Sequence, residues 1–334
     1  MFRSVTLAAI AAAIAAPALS AEVNVYSYRQ PELIKPLIDA FTEKTGIQVN
    51  SVFLKKGMVE RMQAEGDRSP ADLVFTVDIS RLSAVVDAGL TQPVESDVLA
   101  ANVPPEMRDA NNHWFGITTR ARVIYADKNR VKDGEVTTYE DLADPKWKGR
   151  ICTRSGLNAY NLALTSAVIA HHGEEGAKAW LEGVKANLAR KPQGNDRAQV
   201  KAIWAGECDI SIGNTYYMAL MLKKDDQKGW AENARIVFPK FEGGGTHMNI
   251  SGMAMAKHAP NRENALKMME FLASEEGQKI YSNINAEYPV LSTVKASDLV
   301  ESWGSFERDN IGLTDIAANR ATAVKLMEEV GFDN

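Results

Sequence analysis

Residues 22–54 read EVNVYSYRQPELIKPLIDAFTEKTGIQVNSVFL. Alternation over Val23 to Tyr28 predicts a strand, and Leu33, Leu37, Ala40 and Phe41 mark one face of an amphipathic helix over Glu32 to Lys44. After Gly46 the period returns to two, so Gln48 to Leu54 reads as a second strand. A helix over Met58 to Glu65, a turn at Ser69-Pro70, a strand over Leu73 to Val77 and a helix over Ile79 to Ala88 continue the alternation. Strand and helix taking turns through short connectors indicate an α/β fold with mixed sheets and helices on their faces. Farther on, strands are expected at Ile117 to Tyr125, Arg150 to Thr153, Ile210 to Ile212 and Ile250 to Ala256. Helices are expected at Tyr139 to Ala143, Asn158 to His171, Gly176 to Lys185, Ala198 to Ala205, Tyr216 to Lys223, Arg262 to Ser274 and Ile316 to Val330. Two α/β lobes are expected, with a cleft that gathers loops from the carboxyl ends of both sets of strands.

The chain has 334 residues, 45% hydrophobic and 24% charged, enough to bury a large core and too apolar for intrinsic disorder. Its net charge of −5, without a run of Lys and Arg, argues against a strong hold on nucleic acid. The start is different in kind. Arg3 precedes an apolar stretch from Val5 to Ile14, and small residues follow through Ala21. That pattern reads as a secretory signal over residues 1–21, with a mature chain beginning near Glu22 and an exported, periplasmic product. An uncleaved anchor is the alternative, but the apolar run is short for a span of about 20 residues. The two cysteines, Cys152 and Cys208, lack zinc-finger spacing, and in an oxidising compartment an even pair invites a disulfide; two buried free thiols are the other possibility.

Motifs of catalysis are missing: no GxSxG elbow, phosphate loop, GxGxxG or HExxH occurs. The tyrosines are more informative. Tyr216 and Tyr217 are adjacent at a strand-to-helix junction, where both rings can face one opening, and Tyr160 sits at the start of a helix. Taken alone, such a pair is core packing or a platform for an organic ligand as readily as a metal site.

Several segments together are more specific. Residues 23–30 (VNVYSYRQ), 39–47 (DAFTEKTGI), 68–72 (RSPAD), 144–150 (DPKWKGR), 214–217 (NTYY) and 286–289 (AEYP) resemble the periplasmic ferric-iron-binding proteins of ABC importers, in their three-tyrosine branch. The likeness runs in order through nearly the whole mature chain. It implies a two-lobed, type II periplasmic binding fold, one lobe holding residues 22–121 and 247–297 and the other 122–246 and 298–334. It also implies a monomer that is not an enzyme and that hands ferric ion to an inner-membrane permease and its ATPase. By the same likeness Tyr216, Tyr217 and Tyr160 are iron ligands. Some relatives add a His and a Glu from the first lobe, but those positions here are Gln30 and Val77.

Ferric ion is a hard cation that favours anionic oxygen, and three phenolates would match its charge. Three ligands leave an octahedral shell open, so a small anion such as carbonate is expected. Arg120 or Arg122 would hold it, with the donors at Ser155-Gly156 and with Gln30 and Asn214 nearby. Tyr28 is the expected first-lobe contact, with Tyr26 as its alternative. Two other readings remain: a binding protein of this fold for a polyamine, phosphonate, sugar or oxyanion, and a secreted hydrolase or transferase.

Overall fold

The protein is described by a computed structural model that covers residues 21–334. The expected secretory signal over residues 1–21 therefore lies, apart from Ala21, outside the described residues. In chain order the strands are β1 (Glu22–Ser27), β2 (Gln48–Phe53), β3 (Leu73–Thr76), β4 (Thr91–Gln92), β5 (Phe115–Asp127), β6 (Ile151–Cys152), β7 (Ile210–Asn214), β8 (Ala234–Val237), β9 (Met248–Ala256) and β10 (Tyr288–Pro289). The helices begin with α1 (Pro31–Thr45), α2 (Met58–Glu65), α3 (Ile79–Asp87) and α4 (Asp97–Asn102). They continue with α5 (Ala159–Ala186), α6 (Asp196–Trp204), α7 (Thr215–Leu222), α8 (Asp225–Asn233) and α9 (Arg262–Ala273), then α10 (Glu275–Asn285), α11 (Asp298–Glu301), α12 (Leu313–Ala318) and α13 (Arg320–Val330).

The opening β-α-β unit forms as its periodicity demands. Val23 and Val25 are fully buried on β1, and Ile34, Leu37 and Phe41 line the inner face of α1. β1 pairs in parallel with β2 on one side and β3 on the other. β9 then runs antiparallel between β3 and β5. The mixed sheet expected from the sequence is present, in the order β2-β1-β3-β9-β5-β7-β6.

β5 joins two regions. Its first half, to Ala121, pairs with β9; its second half, from Arg122, pairs with β7 and β8. Two large apolar cores lie on either side of that change of partner, and a third cluster spans it, holding Ala121, Met248 and Tyr288 together with Val123, Tyr125 and Met218. One core centres on Val25, Phe41, Leu73, Met253 and Met268, and another on Trp147, Ile151, Leu164, Leu181 and Ile212. All thirteen residues of β5 are buried, as expected of a strand shared by two packed bodies.

Several local expectations change. The helices read at Asn158 to His171 and Gly176 to Lys185 meet in α5, where Gly173 breaks the helical path with φ of 70°. That left-handed φ costs glycine little, having no Cβ. The helix read over Ile316 to Val330 is two, divided at Asn319 into α12 and α13. α8, β8 and α10 had no counterpart in the sequence reading; α8 buries only Ala231 and so carries almost no amphipathic signal. Cys152 and Cys208 form a disulfide with Cα atoms 5.8 Å apart, joining β6 to the turn that precedes β7. No helix among the described residues is long and apolar enough to cross a membrane.

Candidate metal site

β7 ends at Asn214 and α7 starts at Thr215, so Tyr216 and Tyr217 occupy the first turn of a helix that follows a strand without a loop. Successive residues on a helix project about 100° apart, which lets both rings border the same space. Their centroids lie 4.2 Å apart. Tyr160 comes from the first turn of α5, whose cap is the Asn158 side chain accepting the Tyr160 N–H at 3.0 Å. The Tyr216 hydroxyl donates to the Tyr160 hydroxyl at 3.3 Å. Donors at adjacent corners of an octahedral shell with bonds near 2 Å stand ~3 Å apart, so this pair already has nearly the spacing that such a shell needs.

These three tyrosines border a cavity of about 440 Å³ that is also lined by Tyr28, Arg29, Gln30 and Val77 and by the cations Lys55, Arg81, Arg197 and Lys224. Glu32 is the one carboxylate among the lining residues. Among the described residues no group of three His, Cys, Asp or Glu side chains is placed to hold a metal. The oxygen donors in the lining are the phenols of Tyr28, Tyr160, Tyr216 and Tyr217, the Glu32 carboxylate and the Gln30 amide. Burial pushes the Tyr216 phenol well above its ordinary range, reinforced by Tyr160 and Tyr217, and burial likewise raises Tyr217. Both are therefore protonated at neutral pH in this structure.

The other expected site residues are placed differently. Tyr28 lines the cavity, but its hydroxyl oxygen accepts the Met58 N–H at 3.1 Å and its ring lies under Arg81. Tyr26 is buried off the cavity and donates its hydroxyl to Glu65 at 2.7 Å. Gln30 is exposed at the mouth and Val77 is in the wall. Ser155 and Gly156 are not anion donors in this arrangement. Asp333, just beyond α13, takes the Gly156 N–H at 2.7 Å together with the Ser155 hydroxyl, and neither residue lines the cavity. Arg122 commits Nη1 and Nη2 to Asp196, Asn214 and Asn161, while its buried Nε has no partner among the described residues.

Arg29 is the functional candidate that the sequence reading passed over. It is buried at the cavity wall, and its Nη2 pairs with Glu287 Oε1 at 2.9 Å and with Ser251 Oγ at 2.5 Å. Burial would raise the Glu287 carboxyl, but Arg29 and then Arg120 hold it below the usual carboxylate range, so the pair is ionised. Arg29 Nε and Arg120 Nη2 are buried without a hydrogen-bond partner among the described residues. Arg120, Arg122 and Arg154 place their guanidinium carbons 5.8, 5.9 and 5.3 Å from the Tyr160 ring centre. The sole sequence signal for Arg29 was its place in the 23–30 segment.

Residues 68–306 match the family model described as bacterial extracellular solute-binding protein. The chain is 45% identical to iron uptake protein A1 of Synechocystis over 95% of its own length and 89% of that protein's. Apo ferric ion-binding protein A of Pasteurella haemolytica is 54% identical and superposes with a TM-score of 0.90, over 94% of this chain and 98% of that one. A Trichodesmium relative solved in complex with iron and citrate ligands is 42% identical, with a TM-score of 0.89, over 93% and 99% of the two chains. The chain belongs to the bacterial extracellular solute-binding proteins, in the branch whose members are named iron uptake and ferric iron-binding proteins.

Proposed function

We propose that this protein is the periplasmic binding component of an iron(III) ABC importer, holding ferric ion on the phenolates of Tyr160, Tyr216 and Tyr217. The observation that carries the reading is the 3.3 Å approach of two phenol oxygens from α5 and α7 at one cavity, with the third ring beside them. Three phenolates balance a trivalent charge, and hard oxygen donors suit ferric ion better than the softer ions that thiolate or thioether sites select.

The change of partner along β5 between Ala121 and Arg122, with one large core on each side of it, supports lobes at 22–121 with 247–297 and at 122–246 with 298–334, joined by the cluster that spans β5. On that division the cavity lies between the lobes, the trio on the second and Tyr28 and Arg29 on the first. Closure brings Tyr28 up as a wall, since its oxygen is already engaged by Met58. An oxyanion such as carbonate completes the shell. Its partner on the cavity wall is Arg29, whose buried Nε–H is unused among the described residues, in place of Ser155 and Gly156, which Asp333 takes; Arg120, Arg122 and Arg154, each with one unused buried N–H, stand behind the Tyr160 ring. The closed, loaded form is what the inner-membrane permease and its ATPase receive, and the cargo leaves unchanged.

The cations at the rim disfavour a polyamine as the ligand. Adding ferric nitrilotriacetate to purified protein separates the remaining readings. Stoichiometric retention with a visible phenolate-to-iron band is expected, and single Tyr160→Phe, Tyr216→Phe and Tyr217→Phe changes should each weaken it. Colourless protein that retains no iron overturns the proposal.

A further inference from the structure

The Arg122 guanidinium stands between the two chain segments that carry the three phenols. Its Nη2 donates to Asn161 Oδ1 at 2.5 Å and its Nη1 to Asn214 Oδ1 at 3.1 Å. Asn161 directly follows Tyr160, and Asn214 precedes Tyr216 by two residues. One side chain therefore spans the start of α5 and the end of β7. Nη1 also donates to Asp196 Oδ1 at 2.6 Å, while the other Asp196 oxygen accepts from Arg154. Asp196 and Arg122 are both buried. Asn161 extends the tie, its amide donating to the carbonyls of Arg154 and Ser155 at 3.1 Å each, which anchors the loop that enters α5.

A guanidinium is flat and offers its N–H groups at fixed angles, so it can hold two acceptors at a set separation. An ammonium on a flexible stem cannot impose that separation. We propose that Arg122, oriented by Asp196, is a positioning residue that sets the Tyr160–Tyr216 spacing before an ion arrives. Donors arranged during folding do not have to be ordered at binding, so less of the metal–oxygen bonding energy is lost to that ordering. This inference rests on the ferric reading of the same site.

The test is a double-mutant cycle on Arg122→Lys and Tyr160→Phe, with ferric nitrilotriacetate as the probe. Affinity and the visible band per bound ion are both read, and circular dichroism of the iron-free protein reports folding. Arg122→Lys is expected to weaken binding tenfold or more and to shift the band, but to do much less when Tyr160 is already Phe. A residue needed only for stability would lower the melting temperature and leave the band of each bound ion where it was. An Arg122→Lys protein with affinity within twofold of wild type and an unmoved band overturns the inference and leaves the ferric reading intact. Full additivity with Tyr160→Phe overturns it as well, and a colourless wild type removes both. If Arg122→Lys does not fold, Asn161→Ala keeps the Arg122–Asp196 pair and carries the same expectation and the same refutation.

Discussion

His247 immediately precedes β9, at the point where the chain returns to the first core, and it is buried. Its N–H donates to the Tyr139 hydroxyl at 3.1 Å, its carbonyl accepts from the Arg122 N–H at 3.0 Å, and its Nδ1 has no partner among the described residues. Burial pushes the imidazole down to about 4 from an ordinary 6.5; Asp309 opposes the shift, and Arg122, Arg120 and His171 add to it. The unfolded chain therefore takes up a proton that the folded chain refuses. The stability involved is complete above about pH 6.5 and is lost as pH falls toward 4, a difference of ~3 kcal/mol overall and ~2 kcal/mol between pH 7 and pH 5. Other groups titrate in that range, so the measurement is a comparison. Urea denaturation of wild type and His247→Phe from pH 7 down to pH 4.5 should show the variant gaining on the wild type as the solution is acidified. A gap between the two that stays constant within ~0.5 kcal/mol would refute the reasoning.

Replacing both Cys152 and Cys208 by Ser opens a loop with a sequence separation of 56, which in the chain-entropy model costs about 4 kcal/mol; denaturation with and without reductant measures it. Gly213→Ala places a Cβ 2.0 Å from Tyr125 Cε2 in the strand that leads into the tyrosine pair, so a loss of about 1–3 kcal/mol and weaker iron retention are expected. Because burial raises the Tyr216 and Tyr217 phenols, loading must expel protons, and affinity should fall with pH. An affinity that does not change from about pH 8 to pH 5 contradicts phenolate ligation.

Much of the scaffold was legible in local pattern. β1, α1 and β2 follow from alternation and from the apolar stripe read as Leu33, Leu37, Ala40 and Phe41; Leu37 and Phe41 are buried, but Ile34 is the third buried residue and Leu33 and Ala40 are only partly covered. The helix read over Arg262 to Ser274 matches α9 and stops where α10 begins; α10 is amphipathic and is capped by Ser274, so its start was present in the sequence but not read. The tyrosine pair stood out because its position between strand and helix can be read directly. Tyr160 entered through resemblance, since nothing local says that a helix start 56 residues upstream of Tyr216 reaches the same point.

Sequence alone determined the α/β alternation, the disulfide-capable cysteine pair and the residue types able to bind a hard cation, because these depend on neighbours within a few positions. Tertiary structure decided which polar groups are spent and which are free. Ser155 and Gly156 resemble anion donors until Asp333, 178 residues away, takes the hydroxyl. Arg29 gains its importance from Glu287, 258 residues along the chain. Buried charges must find partners, and the partner is whatever the fold brings within reach, so the availability of a donor is a property of packing that no local pattern records.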